Sequence, residues 1–312
     1  MWPGQAIVCS ATITPLQAQL AFWKRRTWVF APKIKQREKR FLIADRSYSQ
    51  TQLKDPKEWD RVVETMRALI ARERDRTKMA VAVIGNSKVM NRFLEAVLPK
   101  PLPKKLRMPW PRGRRDECFE ELRALCESIG VLPGYAGGVA GSNVFAADPN
   151  ASPPRFVRSL IVLGNILPRL ADVAAKNRGV FSAAGACDGF VEVEGFGVTT
   201  KTPVDWTIVR RRAAIPGTLS GEGASTTVKA IMNMMGFADE RAQNLLHAAY
   251  GAEFMQIVGR LRGIPDPEGI EARAYILAGV AVPGFEIDRA LSLDELRAEL
   301  GLAFPRARDP GA

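Results

Sequence analysis

The chain has 312 residues, 46% apolar and 25% charged, which excludes a disordered or fibrous protein and leaves room for a proper core. A formal charge of +12 makes a surface that attracts polyanions, nucleic acid foremost and an acidic protein second. With one histidine, four cysteines in no Cys-x-x-Cys pair and no apolar run of membrane-spanning length, no metal site and no membrane partner are expected, and the chain reads as cytoplasmic.

The predicted elements run as follows. Residues 5–9 are apolar and lead into Ser10-Ala11-Thr12, and a helix is predicted from Pro15 to Trp23. A basic stretch follows from Lys24 to Arg40, then a short strand at Phe41 to Ala44 and a polar linker from Asp45 to Leu53. Pro56 to Arg76 reads as an amphipathic helix, capped by Asp55, with Trp59, Val62, Val63, Met66, Leu69 and Ile70 at helical spacing. The continuous apolar run Met79 to Ile84 predicts a strand buried on both faces, and Gly85-Asn86-Ser87 caps a helix from about Lys88 to Val97. A Pro-rich basic loop carrying Trp110 spans Leu98 to Arg115, with a helix from Asp116 to Ile129 beyond it. Cys118, Leu122 and Cys126 share one stripe of that helix, so core packing is expected for both thiols.

Gly134 to Asn143 is Gly-rich. Phe156 to Leu163 is the second buried-strand candidate, and Leu167 to Lys176 looks helical. Val191 to Arg212 alternates like a strand; a Gly- and Ser-rich loop occupies Pro216 to Ser225, and three helices are expected between Thr226 and Leu261. His247 falls in this helical region and reads as structural. Arg273 to Val282 is a third buried strand, and a helix closes the pattern at Leu291 to Leu300, opened by the capping box Ser292/Glu295. Buried strands alternating with helices predict an α/β fold built on a parallel sheet.

The chemistry concentrates in Gly251 to Gly263. On a helix, Phe254, Ile257, Val258 and Leu261 form a buried stripe, while Glu253, Gln256 and Arg260 fall on the other side. A helix anchored this way holds a guanidinium rigidly, which suits the charge that develops on a transferring phosphoryl group. An ordinary polar face is the alternative reading of the same pattern. Arg262 lies roughly 200° from Arg260 on a continuous helix and joins it only if the helix ends near Leu261.

Gln256-x-x-Gly259-Arg260-x-Arg262 resembles the sixth motif of superfamily-two helicases, in which the arginines act on ATP. Other pieces keep the family's order. Ser10-Ala11-Thr12 resembles the third motif; Met79 to Ser87 resembles the fourth; Gly141-Ser142-Asn143-Val144-Phe145 resembles an element of helicases of phages, plasmids and other mobile elements. Asp45 to Ser49 is similar to their linker, and Arg273 to the helix from Ser292 to their C-terminal end. Ala140 stands where those helicases usually carry arginine, and Gly263 to Pro267 replaces a further arginine.

The resemblance implies a RecA-like parallel sheet flanked by helices, preceded by the remnant of a first lobe. Residues 1–55 would be the end of that lobe and a basic linker, 56–304 the second lobe, and 305–312 a frayed tail. It implies Arg260, Arg262 and Gln256 as catalytic, with Gly259, Gly141 and Asn143 at the nucleotide, and Ser10, Thr12 and Asn86 at nucleic acid. The cofactor would be ATP with Mg2+. A Gly-x-x-x-x-Gly-Lys loop and an acidic box for magnesium are not found, so a partner chain or upstream lobe is expected to supply them. The chain reads as a fragment, split subunit or degenerate remnant that does not hydrolyse ATP alone.

Three basic regions are candidates for a phosphate backbone: Lys24 to Arg40, Lys100 to Arg115 and Arg210 to Arg212. In the second, Lys104, Lys105, Arg107 and Arg112 would meet the backbone, of DNA rather than RNA, and Trp110 would stack on a base. Two other readings are a non-enzymatic nucleic-acid-binding remnant and an unrelated α/β enzyme acting on a phosphorylated substrate.

Overall fold

The computed structural model describes residues 38–45, 48–49, 51–136, 146–148, 155–166, 169–181, 204–215, 230–261, 269–278 and 287–302. Ser10, Thr12, Gly141, Asn143 and Arg262 lie outside these residues.

Six strands make one wholly parallel sheet: β1 (Lys39–Ile43), β2 (Val81–Gly85), β3 (Val131–Tyr135), β6 (Ser159–Leu163), β9 (Arg273–Leu277) and β10 (Arg289–Leu291). Their order across the sheet is β10-β1-β9-β6-β2-β3. A chain that must bury both faces of such a sheet needs continuous apolar strands. Every residue of β2 and β6 is buried, as the runs Val-Ala-Val-Ile-Gly and Ser-Leu-Ile-Val-Leu require. β4 (Ala146–Asp148) and β5 (Arg155–Phe156) form a small antiparallel pair. β7 (Ile208–Ile215) and β8 (Ala230–Phe237) form a separate antiparallel arm.

The helices are α1 (Pro56–Thr77), α2 (Ser87–Val97), α3 (Arg115–Cys126), α4 (Leu170–Phe181), α5 (Glu240–Val258) and α6 (Leu293–Glu299). α1 starts where its signals place it: Asp55 accepts the Lys57 N–H and Pro56 takes the first helical position. α6 carries both halves of the expected capping box between Ser292 and Glu295. The connections β1 to β2 to β3 run across the sheet in one direction, and β3 to β6 to β9 to β10 run back. With right-handed crossovers the two directions place their helices on opposite faces.

Helix α1 is tied to the sheet by one fully buried carboxylate. Glu73 accepts hydrogen bonds from Arg76 (2.8 and 2.6 Å), Ser159 on β6 (2.7 Å) and Tyr275 on β9 (2.8 Å). Arg76 also donates to the Glu271 carbonyl at 2.8 Å and to the Ser159 hydroxyl at 3.0 Å. Burial pushes the Glu73 carboxyl up, but the bonds from Arg76, Ser159 and Tyr275 outweigh it and hold it below the ordinary carboxylate range.

Several expectations are corrected. Ala230–Phe237, expected to be helical, is strand β8, so the region of three expected helices holds one strand, one helix and a closing 3-10 turn at Gly259–Leu261. Its Met-rich run has no decisive period, and pairing along the whole of β7 decides its state. Strand β3 is not among the expected strands: it carries Pro133 and runs into the start of the Gly-rich stretch. It is an edge strand bonded only to β2 among the described strands, and an edge tolerates proline's missing N–H. β10 is a second edge strand without a sequence signal. β1, within the first 55 residues, lies in the sheet between β10 and β9.

Candidate functional site

The tail of α5 carries the segment singled out by its sequence. Phe254, Ile257, Val258 and Leu261 are all buried in the same core as the sheet strands, at 1–2% exposure. Gln256 and Gly259 are exposed on the other side. The α-helix ends at Val258 and tightens into the 3-10 turn that contains Arg260. The side chain of Arg260 and the whole of Arg262 lie outside the described residues. Among the described residues no heavy atom would lie within 4 Å of a Cβ built on Gly259.

One turn earlier, Tyr250 is fully buried and stacks edge-on against Phe254 at 4.7 Å. Its hydroxyl has no hydrogen-bond partner among the described residues, and burial pushes it well above the ordinary phenol range. An unmade buried hydrogen bond costs about 1–3 kcal/mol. Tyr250→Phe is therefore expected to leave stability unchanged or raise it by about 1 kcal/mol, read as the urea midpoint.

A second region lies at the carboxyl ends of the strands. β2 and β6 are neighbours, yet their outgoing connections lead to opposite sides, to β3 and to β9. That divergence opens the crevice where α/β sheets hold ligands. Asn86 stands there, and its side chain accepts the Lys88 N–H at 3.0 Å as the cap of α2. This chain covers part of its own crevice. Gly164, at φ +83, packs so closely that a Cβ would lie 3.2 Å from the Tyr48 carbonyl oxygen, 3.8 Å from Leu53 and 3.9 Å from Val89. Tyr48 is buried in a left-handed conformation (φ 45) and donates to Asp45 at 2.6 Å. Arg92 donates to the Leu53 carbonyl and lies 4.4 Å over the Trp59 ring, fastening the covering segment to α1 and α2. Leu53 and Tyr48 carried no sequence signal for this role, since only the fold brings the post-β1 segment over Gly164.

The basic loop before α3 differs from its expectation. Trp110 does not offer a stacking face: it is 7% exposed, packs edge-on against Phe119 and Tyr135, and gives its indole N–H to the Leu106 carbonyl at 2.9 Å. Its large apolar ring closes the loop onto α3 and β3 instead. Asn91 pins the same loop by bonding both the N–H and the carbonyl of Met108. Lys104, Lys105 and Arg107 are exposed, but Lys105 pairs with Glu121 and Arg107 with Glu95, each at 2.5 Å. The side chain of Arg112 lies outside the described residues. In the arm, Arg210 is exposed, while Arg211 is spent on Glu240 and the carbonyls of Phe237 and Ala238. Cys118 and Cys126 are buried free thiols, and burial pushes Cys126 up to about 12, so it is inert at neutral pH. Among the described residues no helix is long and apolar enough to cross a membrane, and no cluster of three His, Cys, Asp or Glu could hold a metal ion.

Fold and site together define the chain as an α/β protein with a parallel sheet flanked by helices. Compared with known proteins, it matches no family model, no curated protein and no solved structure.

Proposed function

We propose that the chain is the second, RecA-like lobe of an ATP-dependent nucleic-acid helicase or translocase. The observation that carries the reading is the tail of α5, where four buried apolar residues anchor the helix and leave Gln256 and Gly259 exposed beside Arg260. In this reading Arg260 meets the charge that develops on the γ-phosphate from across a cleft, and Gln256 orients it. In the same reading Arg262 is the second finger where the helix ends near Leu261. Gly259, Gly141 and Asn143 lie along the nucleotide, with Ser10, Thr12 and Asn86 facing nucleic acid. A partner lobe supplies the phosphate loop and holds Mg2+.

The test has two arms. Alone, the purified chain is expected to show no magnesium-dependent ATP hydrolysis, and robust turnover would sink the reading. Joined to a chain carrying the phosphate loop, it is expected to support nucleic-acid-stimulated hydrolysis, and Arg260→Ala to lower that rate by about a thousandfold. A rate indifferent to Arg260 removes the finger. A non-enzymatic nucleic-acid-binding module is the second reading, favoured by the crevice that the chain covers with Tyr48 and Leu53. It predicts salt-sensitive DNA binding that ATP does not alter.

A further inference from the structure

We propose that Gln243 and His247 form a proton-sensitive clasp, which holds the β7–β8 arm on α5 while the imidazole is neutral and releases it when the imidazole is protonated. The arm ends at Phe237, which is fully buried and donates its N–H to Gln243 Oε1 at 2.9 Å. That partner orients the side-chain amide. A backbone N–H can only donate, so the amide oxygen faces Phe237 and the NH2 faces the other way. There Gln243 Nε2 meets His247 Nε2 at 2.8 Å. An NH2 group can only donate as well, so this ring nitrogen carries the lone pair and the neutral imidazole keeps its proton on Nδ1.

Protonation sets an N–H of the ring against the N–H2 of Gln243. The contact is restored only if Gln243 turns its oxygen toward His247, which sets its NH2 against the Phe237 N–H. The two neighbours meet different ends of the amide, so one orientation cannot satisfy both. Gln243 is 2% exposed and its amide lies close over Gly236, where a Cβ would sit 2.3 Å from its oxygen.

The surroundings of the ring fix the sign. Burial holds His247 below the ordinary imidazole value, with Glu240 of α5 opposing and Arg211 of β7 reinforcing. Arg211 and Glu240 are themselves paired at 2.6 Å, as are Asp239 and Arg241 at the start of α5. α4 contributes apolar Val173 and Ala174 to the cluster at the arm's base. A folded state that disfavours the proton keeps the clasp above the ordinary value of about 6.5 and loses it as pH falls through the lower folded value.

The chain has one histidine, so nitrogen-15 labelling of histidine in the full chain reports a single ring by NMR. The expected result is the Nδ1–H tautomer at neutral pH, with the Phe237 amide signal changing at the same midpoint as the ring. Gln243→Glu offers two accepting oxygens, so its ring midpoint is expected to rise while the Phe237 amide stays bonded throughout. In His247→Asn the acid-side change at Phe237 is expected to vanish. An Nε2–H tautomer, a Phe237 signal that ignores the ring, or a Gln243→Glu variant that titrates like the original protein overturns the clasp.

Discussion

Glu73→Ala is expected to destabilise the protein by about 3–5 kcal/mol, the cost of breaking a buried ion pair by removing one partner. The carboxylate is fully buried, and its removal strands Arg76, Ser159 and Tyr275 between α1 and the strands β6 and β9. Placement decides the size of the effect. Asp75, two residues on, also forms an ion pair, with Lys78, but both side chains are more than three-quarters exposed (84% and 77%). Asp75→Ala is expected to change nothing measurable, because water already solvates both charges. Urea midpoints of the two variants make the comparison. If Glu73→Ala falls as little as Asp75→Ala, the buried node does not hold α1 to the sheet.

The same node predicts an acid limb. Its bonds hold the Glu73 carboxyl below the ordinary carboxylate range. A group with a depressed folded value contributes stability that is complete above the unfolded value of about 4.3 and is lost as pH falls through the folded one. Stability is therefore expected to decline below about pH 4.3, and the decline is expected to be shallower in Glu73→Gln.

Phe254→Ala is expected to cost about 3–5 kcal/mol, the loss of a buried aromatic plus the cavity left behind. Phe254 is 1% exposed, in edge-on contact with Tyr250, and belongs to the stripe that seats the tail of α5. Gln256→Ala, two residues along the same helix, is expected to leave the midpoint in place, because Gln256 faces solvent. In the motor proposed above the order is expected to reverse: Gln256→Ala is expected to lower nucleic-acid-stimulated ATP hydrolysis while the fold stays intact. Equal midpoints for the two variants would mean that the tail is not anchored through Phe254. An unchanged hydrolysis rate in Gln256→Ala would remove that residue from the proposed site.

The sequence alone determined the elements whose signals are local. Asp55 and Pro56 start α1, Asn86 caps α2, and Ser292 with Glu295 opens α6, because a cap is made by residues within one turn of each other. The apolar runs of β2, β6 and β9 announced strands buried on both faces, and the spacing of Phe254, Ile257, Val258 and Leu261 announced the anchored stripe of α5. Tertiary structure decided what depends on residues far apart in the chain. Pairing with β7 made Ala230–Phe237 a strand, and an edge position made room for Pro133 in β3. Folding placed Trp110 in the core against Phe119 and Tyr135, where a basic, Pro-rich neighbourhood had suggested an exposed ring. The Glu73 node joins residues up to 202 positions apart. Arg76, three residues on, is a local partner, but no window of sequence also holds Ser159 and Tyr275, which only the finished fold brings to the carboxylate.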